Sequence, residues 1–565
     1  MTANQDKADN NLATSAPPGR SGPALAPLRE PVFRRIWIAS VLANLGQLIL
    51  GVGVAWEMTR LTSSASMVAL VQTAMMLPLM LVALPAGAIA DTYDRRKVAM
   101  LGLGIASFFA AILTSLAYLD LTSPWVLLLF CTLIGTGVGL YNPSWQSSIG
   151  EQVKPEDLPA AVALGTISFN VARSFGPAIG GLIVIAAGAQ ATFAFSAFAY
   201  LPLILAFFLW QRGHILSRLP PERIGRAMVS GVRYAFHAHS IRTVLIRTFL
   251  FGLAGATANA LAPLIAKDLL NGDASIFGIL LGASGVGAVT GALLLSQLRD
   301  RLGTEKATAA LAVVGGLALV SIGFSRSLPL TCLGMFLTGG ASMLTIALLN
   351  IAVQTTVPRW VTARALSLYT SFLTGGIAIG SWFWGSVANT WTIEVAIIAS
   401  GLLMLALPLF SLLLRLPEMS NMGSELITIA NEPEVALPIT MRSGPIVIEF
   451  EYRIDQKDAR AYYNALQEIR RVRLRNGGFN WSITRDIGDP ALWIERFHCP
   501  TWADYLRMRD RSTKADKEAQ AAVDKFIING EPKRVRRGLE RPVGSVRWQG
   551  DTPDAQQEPV TFVAP

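Results

Sequence analysis

The chain has 565 residues, 52% of them hydrophobic and 15% charged, with a formal net charge of +10 at pH 7. A soluble domain carries about 25% charged residues, so this composition excludes an ordinary globular enzyme and points to a membrane protein. Residues 417–565 hold 22 basic and 22 acidic side chains, so the positive excess belongs to the apolar part and its flanks. That placement fits orientation in a bilayer, not a nucleic-acid partner.

Residues 1–27 are rich in Ala, Ser, Pro, Asn and Gly. They lack the apolar core of about 7–15 residues that a signal peptide needs, and read as a disordered cytoplasmic tail. Apolar runs then fall near 36–58, 65–90, 98–119, 124–146, 160–188 and 190–210. A second set falls near 247–266, 275–297, 307–325, 328–352, 365–388 and 393–415. About 20 apolar residues cross about 30 Å of hydrocarbon, so each run is long enough to span. Twelve crossings in two groups of six are expected, over 28–211 and 247–416, joined by a basic central loop over 212–246. If the N-terminus is inside, the inner loops hold sixteen Lys and Arg and the outer loops three, Arg60, Lys267 and Arg326. This positive-inside bias places both termini in the cytoplasm. Within the central loop, Arg223, Arg226 and Arg233 alternate with Ile224, Met228, Val232 and Phe236, the pattern of a basic amphipathic helix on the inner surface or of a solvated linker.

The halves repeat. Asn142-x3-Gln146 ends the fourth run and Asn350-x3-Gln354 the tenth, with the same spacing. Two repeated six-helix halves place a substrate between them near mid-membrane. The counterpart of the first half's charged hairpin in the second half, Gln297–Arg301, is shorter and degenerate.

After a linker at 417–444, residues 445–541 change character. A strand at Ile446–Ile454 is followed by a helix to Arg475, strands at 479–486 and 492–499, helices at 501–508 and 515–528, and a strand at 532–537. This β-α-β-β-α-β order predicts a small α+β ferredoxin-like module, followed by a disordered tail at 542–565. The three cysteines and four histidines show no ligand spacing and no phosphate-binding loop occurs, so neither metal nor cofactor is expected.

Between the second and third runs lies Gly87-Ala-Ile-Ala-Asp91-Thr-Tyr-Asp94-Arg95-Arg96-Lys97. Charge this dense must sit at a membrane face. The stretch resembles the signature loop of the major facilitator superfamily, which usually has Gly where this chain has Asp94. Phe33-Arg34-Arg35-Ile36-Trp37, Asn44-Leu-Gly46 and Trp56-x-Met58, with Asn170-x2-Arg173-x2-Gly176-Pro177-x2-Gly180-Gly181 in the fifth run, resemble a narrower branch. It is the transmembrane secretion effector family, which includes the enterobactin exporter. The tail module is similar to antibiotic-biosynthesis monooxygenase-type domains.

The resemblance implies a proton-coupled exporter of a small organic molecule, a siderophore or antibiotic, in a bacterial inner membrane. An uptake symporter, or a membrane-anchored oxygenase or sensor, is the alternative. It implies a latch in Asp91 and Arg95, where the bland reading is a topological anchor that Arg96 also serves. It also implies a helix bend and seal at Gly176, Pro177, Gly180 and Gly181, where the bland reading is tight packing. Asp91 and Glu57 are the carboxylates available to carry protons, and Glu57 is equally an interfacial residue. Asn44, Gln47, Trp56 and Asn170 are expected in the cavity or in bonds between helices. Arg173, too deep to snorkel, needs a carboxylate, carbonyls or water: it meets an anionic substrate, pairs with a proton-carrying acid, or serves structure. Trp481 and His498 hint at chemistry in the tail, whose other expected role is regulation or self-association.

Overall fold

The structure is a computed structural model and describes residues 25–211, 232–234, 238–357, 361–416, 433, 435–437, 439–528 and 533–540. The N-terminal tail, most of the central loop, most of the linker and the last 25 residues therefore lie outside the described residues, as do the side chains of Gly87, Asp91 and Asn170. Of the expected amphipathic face, only Val232 and Arg233 are described.

The first half begins with α1 (Pro31–Leu61), α2 (Ala65–Thr92), α3 (Arg95–Tyr118), α4 (Pro124–Ser148) and α5 (Leu158–Ala187). A sixth crossing follows, made of α6 (Ala189–Ala199) and α7 (Leu201–Leu209). Starts follow local chemistry: the Ser64, Asp94 and Ser123 side chains accept from the first-turn amides of α2, α3 and α4, pairing donors the helix cannot satisfy itself. The second half holds α8 (His239–Gly255), α9 (Ala274–Phe324), α10 (Leu328–Thr356), α11 (Thr362–Thr390) and α12 (Ile393–Leu413). Short helical turns carry α8 on to Leu269.

Ten described helices are long and apolar enough to cross a membrane. One of them, α9, has 51 residues and breaks at Gly303, whose φ of 69° lies in the left-handed region, where glycine pays no Cβ penalty. Its two arms coincide with the runs expected at 275–297 and 307–325. Helix α11 is not among the ten, but at 29 residues it is long enough to span. Its Gly, Ser and Thr content suits its place against α2, in the middle of the bundle, where small residues permit close backbones. Each of the twelve expected crossings thus coincides with a described helix. The shared interior of both halves runs from Phe33 to Met404 and includes Leu50, Leu103, Phe193, Phe277 and Ile322.

The tail module is as expected in order. Strands β1 (Ile446–Arg453), β2 (Phe479–Arg485), β3 (Leu492–Cys499) and β4 (Arg534–Leu539) form one antiparallel sheet in the order β2-β3-β1-β4. Helices α13 (Ala459–Arg475), α14 (Trp502–Asp510) and α15 (Lys514–Asp524) go with it. Alternation along the strands splits its residues. Ile446, Ile448, Phe497 and Cys499 join one buried cluster with Trp502, Tyr505 and Met508; Tyr452 joins Tyr462, Leu466 and Ile469 in the next. The other face carries ion pairs, Arg496–Glu449 at 3.7 Å and Arg536–Glu451 at 3.0 Å.

Candidate functional site

The seam between α1 and α5 is built from polar side chains first and glycine above. Trp37 Nε1 donates to the Leu164 carbonyl at 2.8 Å. Ser40 and Ser168 share a hydrogen bond at 3.1 Å, and Asn44 Nδ2 donates to Ser168 Oγ at 3.1 Å. Asn44 is thus used between helices. About two turns further along α5, Gly176 faces Leu45 and Leu48, and Gly180 faces Ile49 and Val52. Arg173 falls between these two levels, fifteen residues into the 30-residue α5. It is half-buried and makes no hydrogen bond or ion pair among the described residues. Gln47, also half-buried, lies one residue from Leu48 on α1.

Above that level the two halves close on each other. A Cβ on Gly181 would stand 2.9 Å from the Gly278 Cα of α9, so the two backbones touch where both residues lack side chains. The motif is therefore divided: Gly176 and Gly180 face α1, while Gly181 faces the opposite half. Trp56 stacks on Phe277 with ring centres 6.0 Å apart. Lys267 Nζ donates to the Thr59 carbonyl at 2.9 Å, and Ser64 Oγ donates to Asn389 Oδ1 at 3.1 Å. Deeper, Thr73 Oγ1 donates to the Ala378 carbonyl at 2.8 Å. These contacts seal the end of the bundle opposite the charged hairpin. Glu57 lies at the same end, buried, with its carboxylate held by Arg60 at 2.6 Å. That is the geometry of an interfacial pair.

The hairpin ties one half together. Asp94 caps α3 by accepting from the Arg96 amide at 3.0 Å, which accounts for a carboxylate where the superfamily has glycine. Arg95 donates to the Ser147 carbonyl at 2.7 Å and to Glu151 at 3.0 Å, both at the end of α4. Arg96 donates to the Phe208 carbonyl at 2.6 Å, at the end of α7. The second half has an equivalent that sequence reasoning missed. Arg247 of α8 donates to both oxygens of Glu305, at 2.7 and 2.8 Å, and Glu305 also accepts from the Leu416 amide at 2.8 Å. The expected counterpart, Gln297–Arg301, is continuous helix, and the turn lies beyond it at Gly303. A signal was present: Glu305 is an acid among the cations Arg299, Arg301 and Lys306. The Asn-x3-Gln repeat is bonded in the second half, where Gln354 Nε2 donates to Asn350 Oδ1 at 2.6 Å.

In the tail module, Glu495 is fully buried and accepts from Arg473 at 3.1 Å, Trp481 Nε1 at 3.0 Å and Tyr452 OH at 3.1 Å. Trp481 is thereby a structural donor beneath the helices. His498 lies on the other face of the sheet, 3.3 Å from Glu540. The two residues that an oxygenase reading would join are separated by the sheet.

A family model described as "Transmembrane secretion effector" matches residues 22–543. The chain belongs to the transmembrane secretion effector family of the major facilitator superfamily. Its relatives include the multidrug efflux pump Tap of Mycolicibacterium fortuitum, 26% identical over 68% of this chain and 96% of that one. The enterobactin exporter EntS of Escherichia coli is 26% identical over 66% and 89% of the two chains. The staphyloferrin A transporter of Staphylococcus aureus is 26% identical over 53% and 76%. Among solved structures, the nucleoside transporter NupG superposes with a TM-score of 0.52 at 14% identity, over 68% of this chain and 98% of that one. The D-xylose-proton symporter does so with 0.53 at 14%, over 68% and 98%. These superpositions concern the fold. Family and relatives alike are membrane transporters, not enzymes, and this chain is a multi-pass transporter of small molecules.

Proposed function

We propose that this member of the secretion effector family exports a small organic molecule, a siderophore, an antibiotic or a related metabolite, across a bacterial inner membrane at the expense of the proton gradient. What carries the reading is the match of the whole bundle to proteins described as an efflux pump and an exporter. The geometry supports it. Gln47 and Arg173 lie on two neighbouring helices, on the hairpin side of the glycine contact between the halves, and alternating access needs its site near mid-membrane. An intramembrane guanidinium with no partner among the described residues favours an anionic cargo. Asp91 is the carboxylate proposed to exchange protons, since Glu57 is held by Arg60. Both termini are proposed to be cytoplasmic, with the Arg95–Arg96 hairpin on the inner face and the Trp56–Phe277 closure on the outer face.

Inverted membrane vesicles test direction and coupling together. With the lumen acidified, vesicles containing this protein should accumulate metabolites that control vesicles do not, and a protonophore should abolish the accumulation. Loss of preloaded metabolite under the same gradient would establish an uptake symporter instead.

A further inference from the structure

The tail module contains a cavity of about 450 Å³ between its sheet and its helices, within the size range of small-molecule sites. Its floor is apolar and aromatic, with Phe450 and Phe497 from the central strands and Val535 from β4. Its walls are basic. Arg473, Arg509, Lys517, Lys533 and Arg537 line it, against one acid among the described lining residues, Asp516. That acid is already taken, since it pairs with Arg475 and closes a capping box with Thr513. Arg473 is likewise taken, by Glu495. Lys533 is different: its ammonium lies 5.1 Å from the rings of both Phe450 and Tyr452, with one carboxylate, Asp524, at 3.2 Å. Burial pulls its pKa below the ordinary lysine value, with Asp524 working against that shift. Arg537 Nε donates to the phenol of Tyr505 at 2.8 Å and pairs with no carboxylate among the described residues. A concave, basic, aromatic-floored site of this kind concentrates anions, and aromatic side chains favour stacked or edge-on aromatic partners.

The cavity also borders the transporter. Asn476 and Asp516 line it, and Asp516 holds Arg475, whose guanidinium lies 5.8 Å from the ring of Tyr234 in the central loop. Tyr234 is buried with Ile241, Val244, Val353, Val357 and Leu368 at the ends of α8, α10 and α11. A continuous set of contacts therefore runs from the cavity wall into the second half of the bundle.

We infer that this cavity is a regulatory site for a flat aromatic carboxylate or similar organic anion, and that its occupancy is transmitted to the bundle through Asp516, Arg475 and Tyr234. Binding to one site is felt at another only through contacts that differ between bound and free states. The Asp516–Arg475 pair is placed to differ, because the ligand's charge would compete with Asp516 for the cations around it.

The test uses the full chain in lipid nanodiscs with 2-naphthoate as the probe, and 2-naphthamide and hexanoate as its neutral and non-aromatic counterparts. Titration calorimetry should show one 2-naphthoate site that binds each counterpart at least tenfold more weakly. Val535→Trp, which fills the cavity, and Lys533→Met, which removes a cation, should each weaken 2-naphthoate at least tenfold. Using both variants guards against one that fails to fold. Arg173→Leu should leave the site intact, which separates it from any cargo site in the bundle. Hydrogen exchange of residues 232–241 should slow when 2-naphthoate is added. In Arg475→Ala that slowing should disappear while affinity stays within about twofold. Equal affinity for the acid and the amide, or full affinity in both cavity variants, would overturn the site. Unchanged exchange in the wild-type chain would overturn the transmission.

Discussion

Arg173 and Glu495 are both charges out of water, and they meet opposite conditions. Placing an arginine at the centre of a membrane helix costs about 2.5–3.5 kcal/mol on insertion scales. Among the described residues no hydrogen bond or ion pair repays that cost. Arg173→Leu should therefore leave the thermal midpoint of the bundle equal or higher while export falls at least tenfold. Normal export by that variant would make the guanidinium a packing element. Glu495 is fully buried but satisfied by Arg473, Trp481 and Tyr452. Breaking such a pair from one side strands the other charge, at about 3–5 kcal/mol. Glu495→Gln should lower the stability of the tail module by that order, read from its own tryptophans during urea unfolding. Lys533 gives a pH dependence with a definite sign. Its folded pKa is depressed, so the unfolded chain binds more protons between that lowered value and about 10.4, and stability rises with pH there. Lys533→Met should raise the module's unfolding midpoint at neutral pH, and its advantage should shrink as pH approaches 10.

At the scale of helices, the seal rests on glycine pairing with glycine across the two halves. Gly181→Val would push a branched side chain against the backbone of Gly278, where a Cβ alone already stands 2.9 Å from its Cα. Neighbouring helices cannot both hold their places. A cysteine put at Asn389, whose amide oxygen accepts from Ser64 across the halves, should label with a membrane-impermeant thiol reagent several-fold faster in Gly181→Val than in its parent. Unchanged labelling would show that the seal does not depend on this crossing. The helices themselves were legible in the sequence, because hydropathy is local and each run had to be about twenty residues long. The glycine motif of α5 was legible as a flat face, but not its division between α1 and α9, since a face does not name its partner. The Arg247–Glu305 pair was hidden for the same reason: its members are 58 residues apart, and only packing brings them together. Asn44 read equally well as cavity lining or as a bond between helices, and its hydrogen bond goes to Ser168, a residue with no signal of its own. In the tail, alternation gave the strands in order, while the separation of Trp481 from His498 emerged only once the pairing of β2 with β3 fixed which residues share a face.

At the scale of the whole molecule, bundle and tail module have separate interiors. The bundle's clusters draw on residues between Phe33 and Leu416, and the module's on Ile439 to Leu539. Domains with separate cores can fold as separate units. Described links between them are Arg475 over Tyr234 and Arg233 near Gly477. Since the Leu416 amide belongs to the Glu305 site, a chain ended at residue 432 keeps every described contact of the bundle core. That shortened chain should insert, remain monodisperse in detergent and melt within a few degrees of the full one. Its residues 232–241 should exchange faster, because Tyr234 has lost its guanidinium cover. Aggregation or a large fall in the melting point would mean that the module is part of the bundle's fold. Export by the shortened chain should continue but no longer respond to 2-naphthoate, because a transporter core that folds and seals by its own contacts needs the module for control and not for transport.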